Sequence, residues 1–362
     1  MSWNLSPKLR STYPTKAGLT MRKQLRHYSL TVTLAITTVI STACVAPTPS
    51  NISNQTTNPA PTATAKVENL PLVVATNSVI CDITKQIARE TINLKCLIEG
   101  GVDPHIYQPK PDDRKAIDSA NLILYGGYGF EPSLSKLISA SSNAAPKIAV
   151  HEIAVPDPLI FEGVHSHDHG DEKKEDGKEI DPHIWNNAQH GIKIAQTINQ
   201  NLSKLRPDQA ETYSQNTAKL TSDLAKIDAW IKVQIATIPK ASRKLITTHD
   251  ALGYYAQAYD IPVLGALNGV STDEQPTPTR VKELVDLIKS SQVPTIFAEV
   301  SINPKLITTV AKEANVKIAD QQLYTDGLGA KGSASETYTG MLIKNTQTIV
   351  EGLGGKFTPL PQ

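Results

Sequence analysis

The stretch PDQAETYSQNTAKLTSDLAKIDAWIKVQIATIP, from Pro207 to Pro239, decides the fold. Tyr213, Thr217, Leu220, Leu224, Ile227, Ile231, Ile235 and Ile238 recur at steps of three and four. That period lays one apolar stripe along a single helix. The two prolines bracket about 31 residues, roughly 47 Å of helix at about 1.5 Å per residue. Such a length argues against an ordinary surface helix and for a spine shared by two bodies. A spine of this kind would resist the large hinge opening of many two-lobed binders.

On both sides of the spine, apolar runs alternate with helical periods. Before it, LPLVVATNSV reads as a strand, Asp82 to Ile92 as a helix, LKCLIEGG as a strand and DDRKAIDSA as a helix. NLILYGG, SLSKLISASS and KIAVHEI continue as strand, helix and strand. After it, KLITTHD, IPVLGAL, TIFAEV and VKIADQ read as strands, separated by helices at ALGYYAQAY, TPTRVKELVDLIKSS and PKLITTVAKEA. A last helix covers roughly Ser335 to Glu351. Strands alternating with helices indicate parallel sheets with right-handed crossovers. The expected fold class is therefore α/β, two lobes each with a parallel sheet flanked by helices, joined by one long rigid helix. The expected boundaries are 67–206 for the N-terminal lobe, 207–239 for the linking helix and 240–362 for the C-terminal lobe.

The N-terminus reads as an address. Arg22, Lys23 and Arg26 precede the short apolar run LTVTLAITTVI, and small residues lead to Cys44. This is the order of a secretory signal over residues 1–44. The run is too short to span a bilayer, which needs about 20 residues. A cysteine at the cut site points to lipid attachment at Cys44, although Ser41 departs from the aliphatic residue usual there. Translation starts at Met1 or Met21, and residues 1–20 carry no usable pattern. Residues 45–66, rich in Pro, Thr, Ser and Asn, read as a disordered tether. Export makes a disulfide between Cys81 and Cys96 chemically feasible; the other reading is two buried thiols. A net charge of +1 gives no electrostatic reason to expect nucleic acid. The chain reads as a monomer.

Asp-Pro-His occurs twice, ending at His105 and at His183. Proline fixes its own φ and keeps the preceding Asp out of helical geometry, so each His is presented from a stiff turn. His249 stands between a strand and a helix in LITTHDALGYY, and Asp326 follows a strand in QLYTDGLG. The carboxyl ends of strands in open α/β sheets are where ligands collect. Each lobe thus offers two candidate metal ligands. Three imidazoles and one carboxylate suit tetrahedral Zn²⁺, whereas Mn²⁺ favours more oxygen.

With these motifs in order, the chain resembles the metal-specific solute-binding proteins of ABC importers, the zinc/manganese-binding family called cluster A-I. The resemblance runs from Leu70 to Gly355 and rests on DPHIYQPKP, ANLILYGGYGFEP, DPHIW, THDALGYYAQAY, GVSTDEQPTPTRVKELVDLIK, IFAEV and YTDGLG. It implies two α/β lobes with metal held in the cleft, and a membrane permease as partner. It carries the ligand roles onto His105, His183, His249 and Asp326, with water as the alternative to Asp326. It also implies zinc over manganese, because manganese-preferring relatives place a glutamate where this chain has His249. Glu299 matches a family position and is assigned to hydrogen bonding rather than to the metal.

Residues 163–180 form a loop rich in His, Asp, Glu and Lys, with His165, His167 and His169 near its start. Clustered imidazoles and carboxylates of this kind make weak, exposed metal contacts. Zinc-binding members of the family carry such loops before the DPHxW motif; a solvated linker is the other reading. His151 and His190 read as structural or surface residues. A metal-dependent hydrolase is the rival from another class. No HExxH is present and no general base is evident, so the expectation is a zinc-capturing, extracytoplasmic binder and not an enzyme.

Overall fold

The computed structural model describes residues 69–162 and 178–361. The first half runs β1 (Leu72–Ala75), α1 (Ser78–Ala88), β2 (Asn93–Cys96), α2 (Pro111–Ser119), β3 (Leu122–Tyr125), α3 (Pro132–Ala140), β4 (Lys147–Ala149) and α4 (Val150–Ala154). The four strands form one parallel sheet in the order β2-β1-β3-β4, with Val73 opposite both Leu94 and Leu122. α1 starts four residues before its apolar period suggests, because the Asn77 side chain accepts from the Ile80 N–H at 2.9 Å and caps it. KIAVHEI is not all strand: it leaves the sheet after Ala149, and His151 lies on α4. Cys81, in the first turn of α1, and Cys96, the last residue of β2, are joined as a disulfide.

Two short strands, β5 (Ile160–Glu162) and β6 (Lys178–Ile180), pair antiparallel. Together they bracket the acidic, His-rich segment, so the last three residues assigned to that loop are strand. Then follow α5 (Ala188–Leu205), a helix additional to those expected from sequence, and α6 (Ala210–Ala236).

The spine α6 has 27 residues, about 40 Å of helix, and so falls short of its two prolines. Pro207–Gln209 forms a separate 3₁₀ turn, and Thr237 closes the C-terminal end. Its stripe is buried at Tyr213, Thr217, Leu220, Leu224, Ile227, Ile231 and Ile235, with Trp230 and Gln234 buried beside it. The apolar core around this helix continues from Ile83 and Ile87 on α1 through Ile194 and Ile198 on α5.

The second half runs β7 (Leu245–Thr247), α7 (Gly253–Tyr259), β8 (Val263–Ala266), α8 (Pro278–Ser291), β9 (Thr295–Ile296), α9 (Lys305–Ala314), β10 (Lys317–Ile318) and α10 (Tyr338–Gly352). Its strands are short and pair in parallel as β7-β8 and β9-β10. A hydrogen bond from the Phe297 N–H to the Ile246 carbonyl, 2.9 Å, ties the two pairs together. The core around the spine extends into this half through Tyr255 on α7 and Ile349 on α10, so one apolar core bridges the lobes beside a separate core in each. Cross-lobe hydrogen bonds add to it: Trp185 Nε1 donates to the Thr325 carbonyl at 2.9 Å, and Tyr338 Oη to the Trp185 carbonyl at 2.6 Å.

Candidate metal centre

Four of the residues singled out by sequence converge. One donor atom each from His105, His183, His249 and Asp326 lies within 4.8 Å of the others, and all four residues are buried. His105 Nε2 is 3.2 Å from His183 Nε2. Asp326 Oδ1 lies 2.9 Å from His249 Nε2, 3.3 Å from His183 Nε2 and 3.7 Å from His105 Nε2. Tetrahedral ligands about 2.05 Å from a zinc ion stand about 3.3 Å from one another, and these four separations bracket that spacing.

Local structure aims each ring. In both Asp-Pro-His turns the Asp carboxylate accepts the backbone N–H of the His: Asp103 Oδ1 from His105 at 3.0 Å, and Asp181 Oδ1 from His183 at 2.9 Å. This is the Asx turn, in which a short carboxylate closes on the backbone two residues ahead. Asp181 Oδ1 also takes His183 Nδ1 at 2.8 Å. His249, just past β7, is held by Glu299, which bonds its Nδ1 and accepts the N–H groups of Thr248 and His249 at 2.8 and 2.9 Å. Thr325 Oγ1 donates to the same carboxylate at 2.6 Å. A carboxylate on Nδ1 fixes the tautomer and leaves the Nε2 lone pair for a metal. Asp326 keeps Oδ1 toward the rings because Oδ2 accepts from Ser301 Oγ at 2.7 Å.

Electrostatics favours a cation. Burial opposes charge on His183, but hydrogen bonds and charge from Asp181 and Asp326 outweigh it and raise its pKa. For His249 burial is again outweighed, here by Asp326 and Glu299, and its pKa rises well above the ordinary value. Burial would raise Asp326, yet the three facing imidazoles hold it well below the carboxylate range. Burial and the neighbouring Asp181 push Asp250 up to about 6. On the apolar side, Phe130 meets the His105 ring edge-on at 5.2 Å and packs on Trp185 at 4.5 Å.

Glu299 is a hydrogen-bonding residue here, not one of the four convergent donors. Asp326 does not follow a regular strand directly; it comes after Leu323, which makes a single bridge to Glu299. His151 is fully buried on α4 and His190 lies on α5, both outside the cluster. His165, His167, His169 and Cys44 lie outside the described residues. Sequence reasoning credited the proline of each Asp-Pro-His turn and missed its aspartate. The signal was present, since Asp two residues before a presented side chain is an Asx-turn pattern.

Residues 73–352 match the family described as "Zinc-uptake complex component A periplasmic". The chain belongs to this family. Its members are metal-binding, substrate-binding components of ABC importers rather than enzymes, and their partner is a membrane permease. Within the zinc-uptake component A family, the manganese ABC transporter substrate-binding lipoprotein PsaA of Streptococcus mitis is 35% identical over 287 residues, 78% of this chain and 88% of that protein. The metal ABC transporter substrate-binding lipoprotein ScbA of Streptococcus cristatus is 34% identical over 285 residues, with the same two coverages. Among solved structures, the periplasmic zinc-binding protein TroA of Treponema pallidum superposes with a TM-score of 0.71. It is 31% identical and covers 78% of this chain and 99% of its own.

Proposed function

We propose that this protein captures Zn²⁺ between His105, His183, His249 and Asp326 and delivers it to an ABC permease. The observation that carries this reading is the donor set: three ring nitrogens and one carboxylate oxygen, buried and mutually within 4.8 Å. Nitrogen-rich, four-coordinate sites suit Zn²⁺, whereas Mn²⁺ prefers more oxygen and higher coordination. The test is elemental analysis of protein purified from its native compartment, with competition between Zn²⁺ and Mn²⁺. A preference for Mn²⁺ at equal free concentration overturns the zinc assignment.

Manganese is the second reading, favoured by the manganese-named relative. The two readings separate at His249→Glu, which adds an oxygen donor and removes a nitrogen. Under the zinc reading this variant loses Zn²⁺ preference and gains relative affinity for Mn²⁺.

The same proposal includes export and lipid attachment at Cys44, in keeping with relatives named as lipoproteins. Among the described residues no helix is long and apolar enough to cross a membrane. A monomer docking to its permease completes the reading. His165, His167 and His169 collect Zn²⁺ at lower affinity than the buried site, from a segment whose two ends are the paired strands β5 and β6. Deleting residues 164–177 keeps the buried site and removes that extra capacity; unchanged zinc stoichiometry and uptake would rule the role out.

A further inference from the structure

We propose that Thr272 is a positioning residue for the metal: its hydroxyl ties the loop after β8, which is hydrogen-bonded to the segment that carries His249, to the turn that carries His105. Thr272 Oγ1 donates to Asp103 Oδ2 at 2.7 Å across 169 residues of sequence, and both residues are nearly buried. The other oxygen of the same carboxylate accepts the His105 N–H. One Asp therefore answers to a ligand in its own lobe and to a hydroxyl in the other.

The loop behind Thr272 is joined just as closely to His249. Asn268 donates its N–H to the Thr248 carbonyl at 2.9 Å, and the Asp250 N–H donates to the Gly269 carbonyl at 3.0 Å. These two bonds bracket His249 on both sides. The loop is braced internally by Asn268 Nδ2 to the Glu274 carbonyl at 2.8 Å and by Ser271 Oγ to Asp273 Oδ1 at 2.7 Å. A short, braced path thus connects His249 to Asp103 and His105. Other cross-lobe bonds, such as Trp185 to Thr325, fasten the lobes at one ligand-bearing segment from each side. The Thr272 bond engages the first Asp-Pro-His turn, which carries the ligand farthest from Asp326.

Moving these two segments apart to release metal exchanges this bond for hydrogen bonds to water. Hydrogen bonds to charged groups are among the stronger ones and keep a net advantage over their exchange with water. The bond therefore adds to the free-energy difference between the metal-holding and open states and slows release.

This inference rests on the metal reading, and the experiment separates the two. Zn²⁺ affinity and dissociation rate are measured, with a chelating dye as trap, for wild type, Thr272→Val and Thr272→Ser, together with the melting temperature of each protein without metal. Thr272→Val is expected to lose Zn²⁺ about tenfold faster, with Kd raised by a similar factor. Thr272→Ser, which keeps the hydroxyl, stays near wild type, and the metal-free melting temperatures agree. A Thr272→Val protein with wild-type Kd and dissociation rate overturns the inference, as does a metal defect accompanied by an equal loss of metal-free stability. Failure of wild type itself to bind Zn²⁺ or Mn²⁺ sinks the metal reading, a result distinct from either.

Discussion

His105 Nε2 and His183 Nε2 stand 3.2 Å apart in a buried site, each on a ring presented by its own Asp-Pro-His turn. Two neutral lone pairs at that separation repel, so a proton or a cation belongs between them. Metal binding exchanges the one for the other.

The first prediction follows from that exchange. His183 and His249 have pKa values raised above 6.5 despite burial, because Asp181, Asp326 and Glu299 favour the charged rings. Only the neutral ring ligates, so metal must displace these protons. Binding should release protons at neutral pH, and affinity should fall as pH drops through the raised range. Calorimetry in buffers of different ionisation enthalpy reads the proton count directly; no release at pH 7 would contradict the raised pKa values of His183 and His249. For the metal-free protein the sign is opposite. The two raised imidazoles contribute stability fully present below about 6.5 and lost as pH rises through their folded values.

Glu299→Gln should weaken metal binding about 10–100-fold, the usual range for residues that orient a ligand. The carboxylate fixes His249 through both its ring and its backbone, and Thr325 through its hydroxyl. Gln keeps the volume and one acceptor, so the fold should persist. Titration against a competing chelator checks the affinity and circular dichroism checks the fold.

His151 gives a prediction of acid sensitivity independent of metal. It is fully buried, neither ring nitrogen has a hydrogen-bond partner among the described residues, and Trp185 packs on it at 5.1 Å. Burial, helped by the nearby His183, pushes it down to about 3. The unfolded chain binds this proton near pH 6.5 and the folded one does not. Stability should therefore fall as pH drops from about 6.5 toward 3. His151→Leu should flatten that part of the melting-temperature profile of metal-free protein; an unchanged slope would reject the assignment.

Leu224 is fully buried in the middle of the spine. Leu224→Ala should cost about 2–5 kcal/mol of stability, the range for truncating a packed leucine. It should leave the metal Kd almost unchanged, because no ligand lies on α6. Urea denaturation with and without Zn²⁺ checks both halves of this statement.

The sequence by itself determined the spine and the α/β alternation, and it singled out the four side chains that converge. The apolar steps along α6 and the paired Asp-Pro-His turns are local patterns, and local patterns survive without knowledge of contacts. Its errors were also local. The boundary of α1 was set by the Asn77 cap rather than by the apolar period, and α6 yielded its first turn to a 3₁₀ segment after Pro207. Only the tertiary structure decided that donors more than 200 residues apart share one buried point, that Glu299 orients His249, and that Thr272 reaches Asp103. Those facts depend on where two lobes place their loops. That placement is set by packing of both lobes on a common helix, which no single segment encodes.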